Sequence, residues 1–193
     1  MKTQPTPVPL DKAYRLLNHG PTVLVSARHE GVTDVMAAAW SCALDFAPPK
    51  LTVVLDKATR TRELAEAAGQ LVIHVPNAAQ LQLTYEVGHR SLHDEADKLA
   101  RSGVELFDMP GFESLPFVTS CTAWLACRVI PEPHIQQAYD LFVVEVIGAW
   151  ADPRAFSNGH WTFEAGPPEL RSLHYVAGGR FYVIGDAKDA ETG

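Results

Sequence analysis

The chain has 193 residues, 47% of them hydrophobic and 20% charged, with a net charge of −7. This length and balance describe one globular domain whose core needs no disulfide or metal staple. The acidic balance excludes general nucleic-acid affinity, which needs a basic footprint, and no apolar run approaches the roughly 18 residues of a membrane helix.

Residues 1–9, punctuated by Pro5, Pro7 and Pro9, read as a flexible arm without an apolar leader. Asp11 caps a short helix with Ala13, Tyr14, Leu16 and Leu17 on one side, closed by Gly20-Pro21. A strand over 22–27, a turn at Glu30-Gly31 and a long strand over 33–44 form a hairpin. Pro48-Pro49 cannot donate to a ladder, so the chain turns before a strand over 51–55. Thr61 starts a helix that ends at Gly69, and 71–75 is again a strand. The middle is polar and helical over 78–87 and 93–102, with Gly88 as separator, and 110–116 is a loop. Residues 117–130 and 141–150 read as two long strands joined by a linker over 131–138. Short strands follow over 173–175 and 181–184. The domain spans 10–185, and 186–193 is a loose tail. About seven strands with inserted helices exclude a doubly wound parallel sheet and predict a mainly β fold, an antiparallel barrel with helical insertions.

Three cysteines, Cys42, Cys121 and Cys127, form no CxxC pair, and this usage points to a reducing, cytoplasmic setting. Cys121 and Cys127 fall six apart in one predicted strand, on one face but roughly 20 Å from each other, so they read as buried inert thiols.

Two stretches carry chemistry. Ala37-Ala38-Ala39-Trp40-Ser41 leaves the backbone bare. Two readings fit it: small residues facing a tightly packed helix, or a platform on which a flat ligand meets main-chain N–H and C=O groups. Lys57-Ala58-Thr59-Arg60-Thr61-Arg62 puts hydroxyls and cations at a helix start. Thr61 suits an N-cap, and the helix dipole with free N–H groups suits a phosphate. Arg60 offers a planar fork and Lys57 a point charge. A ring platform followed by a phosphate site suggests a flavin nucleotide. His89 and His93 stand four apart on a helix but without a third ligand, and read as solvated rather than metal-binding.

In order and spacing, Asp34, Met36, Ala37, Ala39 and Trp40, then Pro48-Pro49, resemble the second-strand motif of the flavin reductase-like, FMN-binding split-barrel family, nearest its flavoredoxin-like branch. Gly88-His89-Arg90 with Asp97-Lys98, and Leu173-His174 through Gly178-Gly179 to Tyr182, resemble further motifs of that family. The resemblance implies a Greek-key split β-barrel and a homodimer with FMN at the interface. Electrons would pass from NADH or NADPH through flavin to a small-molecule or protein acceptor. It implies ring contacts from the backbone of Ala38–Ser41 and phosphate contacts from Lys57, Thr59, Arg60 and Thr61, with Lys98 approaching the flavin or the phosphate. The family histidine near the flavin and nicotinamide falls on Tyr139 here, with His134 nearby, and His174 and Tyr182 are placed to border the ring. The replaced histidine keeps open an FMN-binding electron carrier without a nicotinamide site. A non-catalytic barrel for another small ligand is a third reading.

Overall fold

The computed structural model describes residues 20–190, so the expected arm and the helix begun at Asp11 lie outside the described residues, as does the end of the tail. In chain order the strands and helices are β1 (Val23–His29), β2 (Val32–Ala38), β3 (Ser41–Phe46), β4 (Pro49–Val54), α1 (Arg60–Ala68), β5 (Gln70–Val75), α2 (Leu81–His89) and α3 (Lys98–Arg101). There follow β6 (Leu106–Phe107), β7 (Phe117–Val118), β8 (Ala123–Ile130), α4 (Pro133–Tyr139), β9 (Leu141–Ala151), β10 (Phe156–Ser157), β11 (His160–Trp161), β12 (Leu173–Ala177) and β13 (Arg180–Val183).

Seven strands form one antiparallel sheet in the order β2-β1-β5-β8-β9-β4-β3. Its two edges, β2 and β3, are consecutive in the chain and separated only by Ala39 and Trp40. Six gaps in a flat sheet would hold those edges about 29 Å apart. The three Cα steps from Ala38 to Ser41 reach about 11 Å at most. The sheet therefore curls until its edges meet, and Val54 N–H donates to Trp40 O at 3.0 Å to pin the joint. Because β2 and β3 are not ladder partners, the barrel is split there.

Strand alternation sorts the core. Val23, Val25, Leu71, Ile73, Val53 and Phe142 point into the barrel with Leu64 and Ala65 of α1. Their neighbours Leu24 and Val35 face outward and are covered by Val87 of α2. Val72 and Ala126 are covered by Leu115 and Phe117. Both faces of these strands are buried, which is why they read as unbroken apolar runs. His74 sits fully buried on the outer face. Its Nδ1 lies 3.2 Å from Leu24 O, and Nε2 accepts the Val118 N–H at 3.1 Å. Burial pushes its imidazole down to about 4.

The structure corrects several expectations. The strand over 33–44 breaks at Ala39–Trp40, where the barrel closes. The strand over 117–130 breaks at 119–122, where Ser120 takes a left-handed φ of 62°. Cys121 therefore lies outside β8, among residues beneath α2, while Cys127 faces the barrel interior, so the two do not share a face. Both thiols are buried and pushed up to about 12, as suits inert cysteines. The helix over 93–102 shrinks to the single turn α3. Arg90 and Arg101 both bind Glu95, and Lys98 turns inward. Gly88 does not end a helix but sits within α2, where a Cβ would lie 3.2 Å from that of Ala37. The linker over 131–138 contains α4, with Pro133 in its first turn and Asp140 left-handed (φ 56°) at its end. The capping residue of α1 is Thr59, not Thr61. Among the described residues no helix is long and apolar enough to cross a membrane.

Candidate functional site

The barrel joint opens into a cavity of about 450 Å³. Its floor is Ala37, Ala38, Ala39 and Trp40, with Thr22, Val54 and Asp56 beside them. The β12–β13 hairpin forms the opposite wall through Tyr175, Val176, Ala177, Gly178 and Phe181. A second cavity of about 180 Å³ adjoins it, with Met36, Ala37, Gly88 and His89 common to both. The second carries more charged side chains: Ala58, Thr59 and Arg60 at the start of α1 line it, with Arg90, Asp34 and Lys98. Together they make one cleft, apolar and wide at one end, narrow and charged at the other.

The small residues serve packing and cavity at once. Ala38 is 7% exposed and joins the barrel core, whereas Ala37 packs with the residues beneath α2. Ala37 must be small because Gly88 backs onto it. The packing reading of the alanine run thus holds at both Ala37 and Ala38, on opposite faces of β2, while both residues also line the cavity.

The narrow end rests on a buried charge cluster. Lys98 Nζ donates to Asp34 Oδ1 at 2.8 Å, and Thr61 Oγ1 donates to Asp34 Oδ2 at 2.8 Å. Asp34 and Lys98 are 1% and 2% exposed, and Thr61 is fully buried. Thr61 is thereby committed to Asp34 rather than to the helix end. Thr59 Oγ1 donates backwards to Asp56 O at 2.7 Å, so no side chain caps the start of α1. The N–H groups of that first turn are therefore available to an anion in the narrow cavity. Arg60 pairs with Glu63, and Arg90 with Glu86 and Glu95. Deeper, Arg62 binds Asp140, Leu55 O and Gln136 O, tying α1 to α4 beside the cleft. Its guanidinium holds the Asp140 carboxyl below the usual carboxylate range.

Of the residues singled out from sequence, Ala37, Ala38, Ala39, Trp40, Thr59, Arg60 and Lys98 line the cleft. Ser41 opens β3 away from it, and Lys57 is an exposed side chain 3.7 Å from Asp140. Tyr139 and His134 sit edge to face on α4 with ring centres 6.4 Å apart, and neither lines the cleft. His174 and Tyr182, partners across β12–β13, do not line it either; the adjacent pair Tyr175 and Phe181 does. The sequence motif falls on the hairpin that walls the cavity but on its other face, the one choice that a two-residue period leaves open. His89 is exposed, as expected, and stands at the junction of both cavities. His93 faces Glu63 at 3.5 Å instead.

Comparison with known proteins agrees with this architecture. The family model described as flavin reductase like domain matches residues 15–179. A crystal structure of an FMN-binding domain of a flavin reductases-like enzyme from Shewanella baltica OS155 superposes with a TM-score of 0.88 at 65% identity, covering 95% of this chain and 96% of that one. Uncharacterized protein YddH of Escherichia coli strain K12 is 41% identical over 182 residues, 93% of this chain and 94% of its own length. Flavoredoxin of Desulfovibrio vulgaris (Miyazaki F) shares the fold, with a TM-score of 0.78 at 20% identity over 97% of each chain.

Proposed function

The chain belongs to the flavin reductase-like family, and from that premise we propose that it is an FMN-binding oxidoreductase that takes electrons from NADH or NADPH and passes them to an acceptor. One observation carries this reading: a wide apolar cavity and a narrow, cation-lined one join around Ala37 and His89. Cavities of this combined size suit a cofactor. The residues fit the group. Ala37 to Trp40 give a bare floor for a ring system, and Tyr175 and Phe181 give aromatic walls. The uncapped first turn of α1, Arg60 and Lys98 give donors for a phosphate. Bound FMN supplies the hydride and electron chemistry itself. The protein's residues hold the ring on the floor, anchor the phosphate and keep water from the buried Asp34–Lys98 pair.

A second copy of the chain completes the site in this proposal. Trp40, Leu44 and Phe46 are 53%, 55% and 96% exposed, in a run that leads away from the cavity floor along β3. An apolar patch of this kind on an edge strand suits an interface. Tyr139 and His134 stand outside the cleft of one chain, which favours a second reading, an FMN-binding electron carrier without its own nicotinamide site.

Fluorescence-quenching titrations with FMN and riboflavin test the phosphate site, and equal affinities refute it. Anaerobic addition of NADH or NADPH to the flavin-loaded protein should bleach the flavin absorbance. A yellow protein that neither nucleotide bleaches supports the carrier instead. Light scattering is expected to give twice the 21.1 kDa chain mass.

A further inference from the structure

We propose that the barrel end opposite the cleft binds a small monocarboxylate, with Arg28 as its anchor. The cleft lies beside Thr22, where the chain enters β1, and Arg28 stands near the other end of that strand, about 20 Å away. The two places are therefore distinct.

Direct cross-strand neighbours share one face of a sheet. One such row crosses the barrel at this end. From Arg128 of β8 it runs to Glu145, Lys50 and Asp45 on one side. On the other side it runs to Gln70 of β5, then to Arg28 and Thr33. The step from β5 to β1 follows from the pairing of Ser26 with Val72, which, continued, sets Arg28 opposite Gln70. Arg128 Nη2 donates to Glu145 Oε2 at 3.0 Å, and Lys50 Nζ donates to Asp45 Oδ2 at 2.6 Å. Arg28 is the cation of this row with no carboxylate beside it.

The Arg28 guanidinium is held instead by neutral groups. Nε donates to Thr33 Oγ1 at 2.9 Å, and Nη1 donates to Glu113 O at 3.3 Å. These bonds fix the plane of the group, and they leave Nη1 and Nη2 with hydrogens that no acceptor among the described residues takes. Arg28 lines a cavity of about 310 Å³ with Glu30, Ala68, Gln70, Ser114 and Leu115. That volume suits a small ligand. A planar fork matches a carboxylate bidentately, so a carboxylate in the cavity supplies the charge that the row lacks. The Gln70 amide and the Ser114 hydroxyl offer further hydrogen bonds, and Ala68 and Leu115 offer apolar contact to a short carbon stem. Glu30 also lines the cavity, largely exposed and 3.8 Å from His29. Its charge opposes any anion, but it opposes a doubly charged phosphate twice as strongly as a carboxylate. The lining therefore selects a monocarboxylate over a phosphate.

The test is a titration of the full chain with butyrate, followed by amide NMR near neutral pH at constant ionic strength. Shifts should saturate at Gly31 and Gln70 and be absent at Ala37 and Ala39 of the cleft. Butyramide has a similar stem without the charge and should bind about ten-fold more weakly or worse, the size of a charge-assisted hydrogen bond. Inorganic phosphate should also bind more weakly than butyrate. Arg28→Gln should weaken butyrate by about ten-fold or more. Gln70→Glu is the second variant, because it sets a carboxylate opposite Arg28 and leaves the bonds to Thr33 and Glu113 in place. It should abolish butyrate binding and keep the melting temperature. Four results each overturn the inference: no shifts at Gly31 and Gln70, shifts confined to the cleft, butyramide or phosphate binding as tightly as butyrate, or full butyrate binding in Gln70→Glu.

Discussion

Lys98→Met strands the Asp34 carboxylate in the protein interior. The partners are 2.8 Å apart and 2% and 1% exposed, so water cannot replace the lost ammonium. Removing one member of a buried pair costs about 3–5 kcal/mol, whereas an exposed pair would cost about 1 kcal/mol at most. Asp34→Asn strands the ammonium and should cost a similar amount. Combined, Asp34→Asn with Lys98→Met leaves no buried charge. The introduced amide would still accept from Thr61 through its oxygen, and its nitrogen would take the Oδ1 position against the substituted side chain. The double variant should lose only about 1–3 kcal/mol, the cost of an imperfectly satisfied polar group, against about 6–10 for the two singles added. The assay is urea unfolding of the flavin-free chain, compared at constant slope, because a bound ligand raises apparent stability. Single variants that each lose less than about 1 kcal/mol, or a double variant that loses the full sum, would show that the pair is not buried and coupled as described.

Ala38→Leu should overpack the barrel core and lower flavin-free stability by about 1–3 kcal/mol, whereas Ala39→Leu, half-buried at the cavity floor, should keep its melting temperature and lose flavin; the reverse pattern refutes this assignment of faces. Arg60→Ala should weaken FMN by about 1–3 kcal/mol and leave riboflavin unchanged, measured by fluorescence quenching; an equal loss for both flavins removes Arg60 from the phosphate site. His74 stays neutral in the folded chain down to about pH 4, against 6.5 ordinarily. The unfolded chain binds that proton first, so stability from this group is full above pH 6.5, falls as pH drops towards 4, and is about 2 kcal/mol lower at pH 5. NMR of the imidazole should show no titration between pH 5 and 8, and a midpoint near 6.5 contradicts the burial.

What was legible in the sequence was what local chemistry decides. Glu30-Gly31 announced the β1–β2 hairpin, and both residues take positive φ. Gly69 announced the end of α1 and adopts the left-handed cap. The misread elements depend on distant partners. Nothing near Ala39 marks a break, because the break comes from the two edges of a seven-stranded sheet meeting there. The proline-flanked segment before β9 reads as a linker, yet Arg62 reaches Gln136 O across 74 positions and holds α4 in place. In the site, the bare alanines and the basic helix start were visible as composition. The role of Thr61 was not, since its partner Asp34 lies 27 positions away. Tyr175 and Phe181 are one residue from the pair that the motif suggests, and only the packing of the hairpin sets that face.

Closure of the barrel at Ala39–Trp40 also bears on how the chain folds. The β1–β2 and β3–β4 hairpins can each form from neighbouring residues, but the sheet closes between them only when β4 pairs with β9, about ninety positions away. Such distant pairings are slow to form. The cleft is walled by Val54 of β4 and by the β12–β13 hairpin as well as by the local segment from Ala37 to Trp40, so it is complete only once these distant parts of the chain have docked. In a stopped-flow refolding experiment, the far-ultraviolet signal of strands and helices should therefore recover before the protein quenches added flavin. A ligand that binds there acts as a reporter of completed folding.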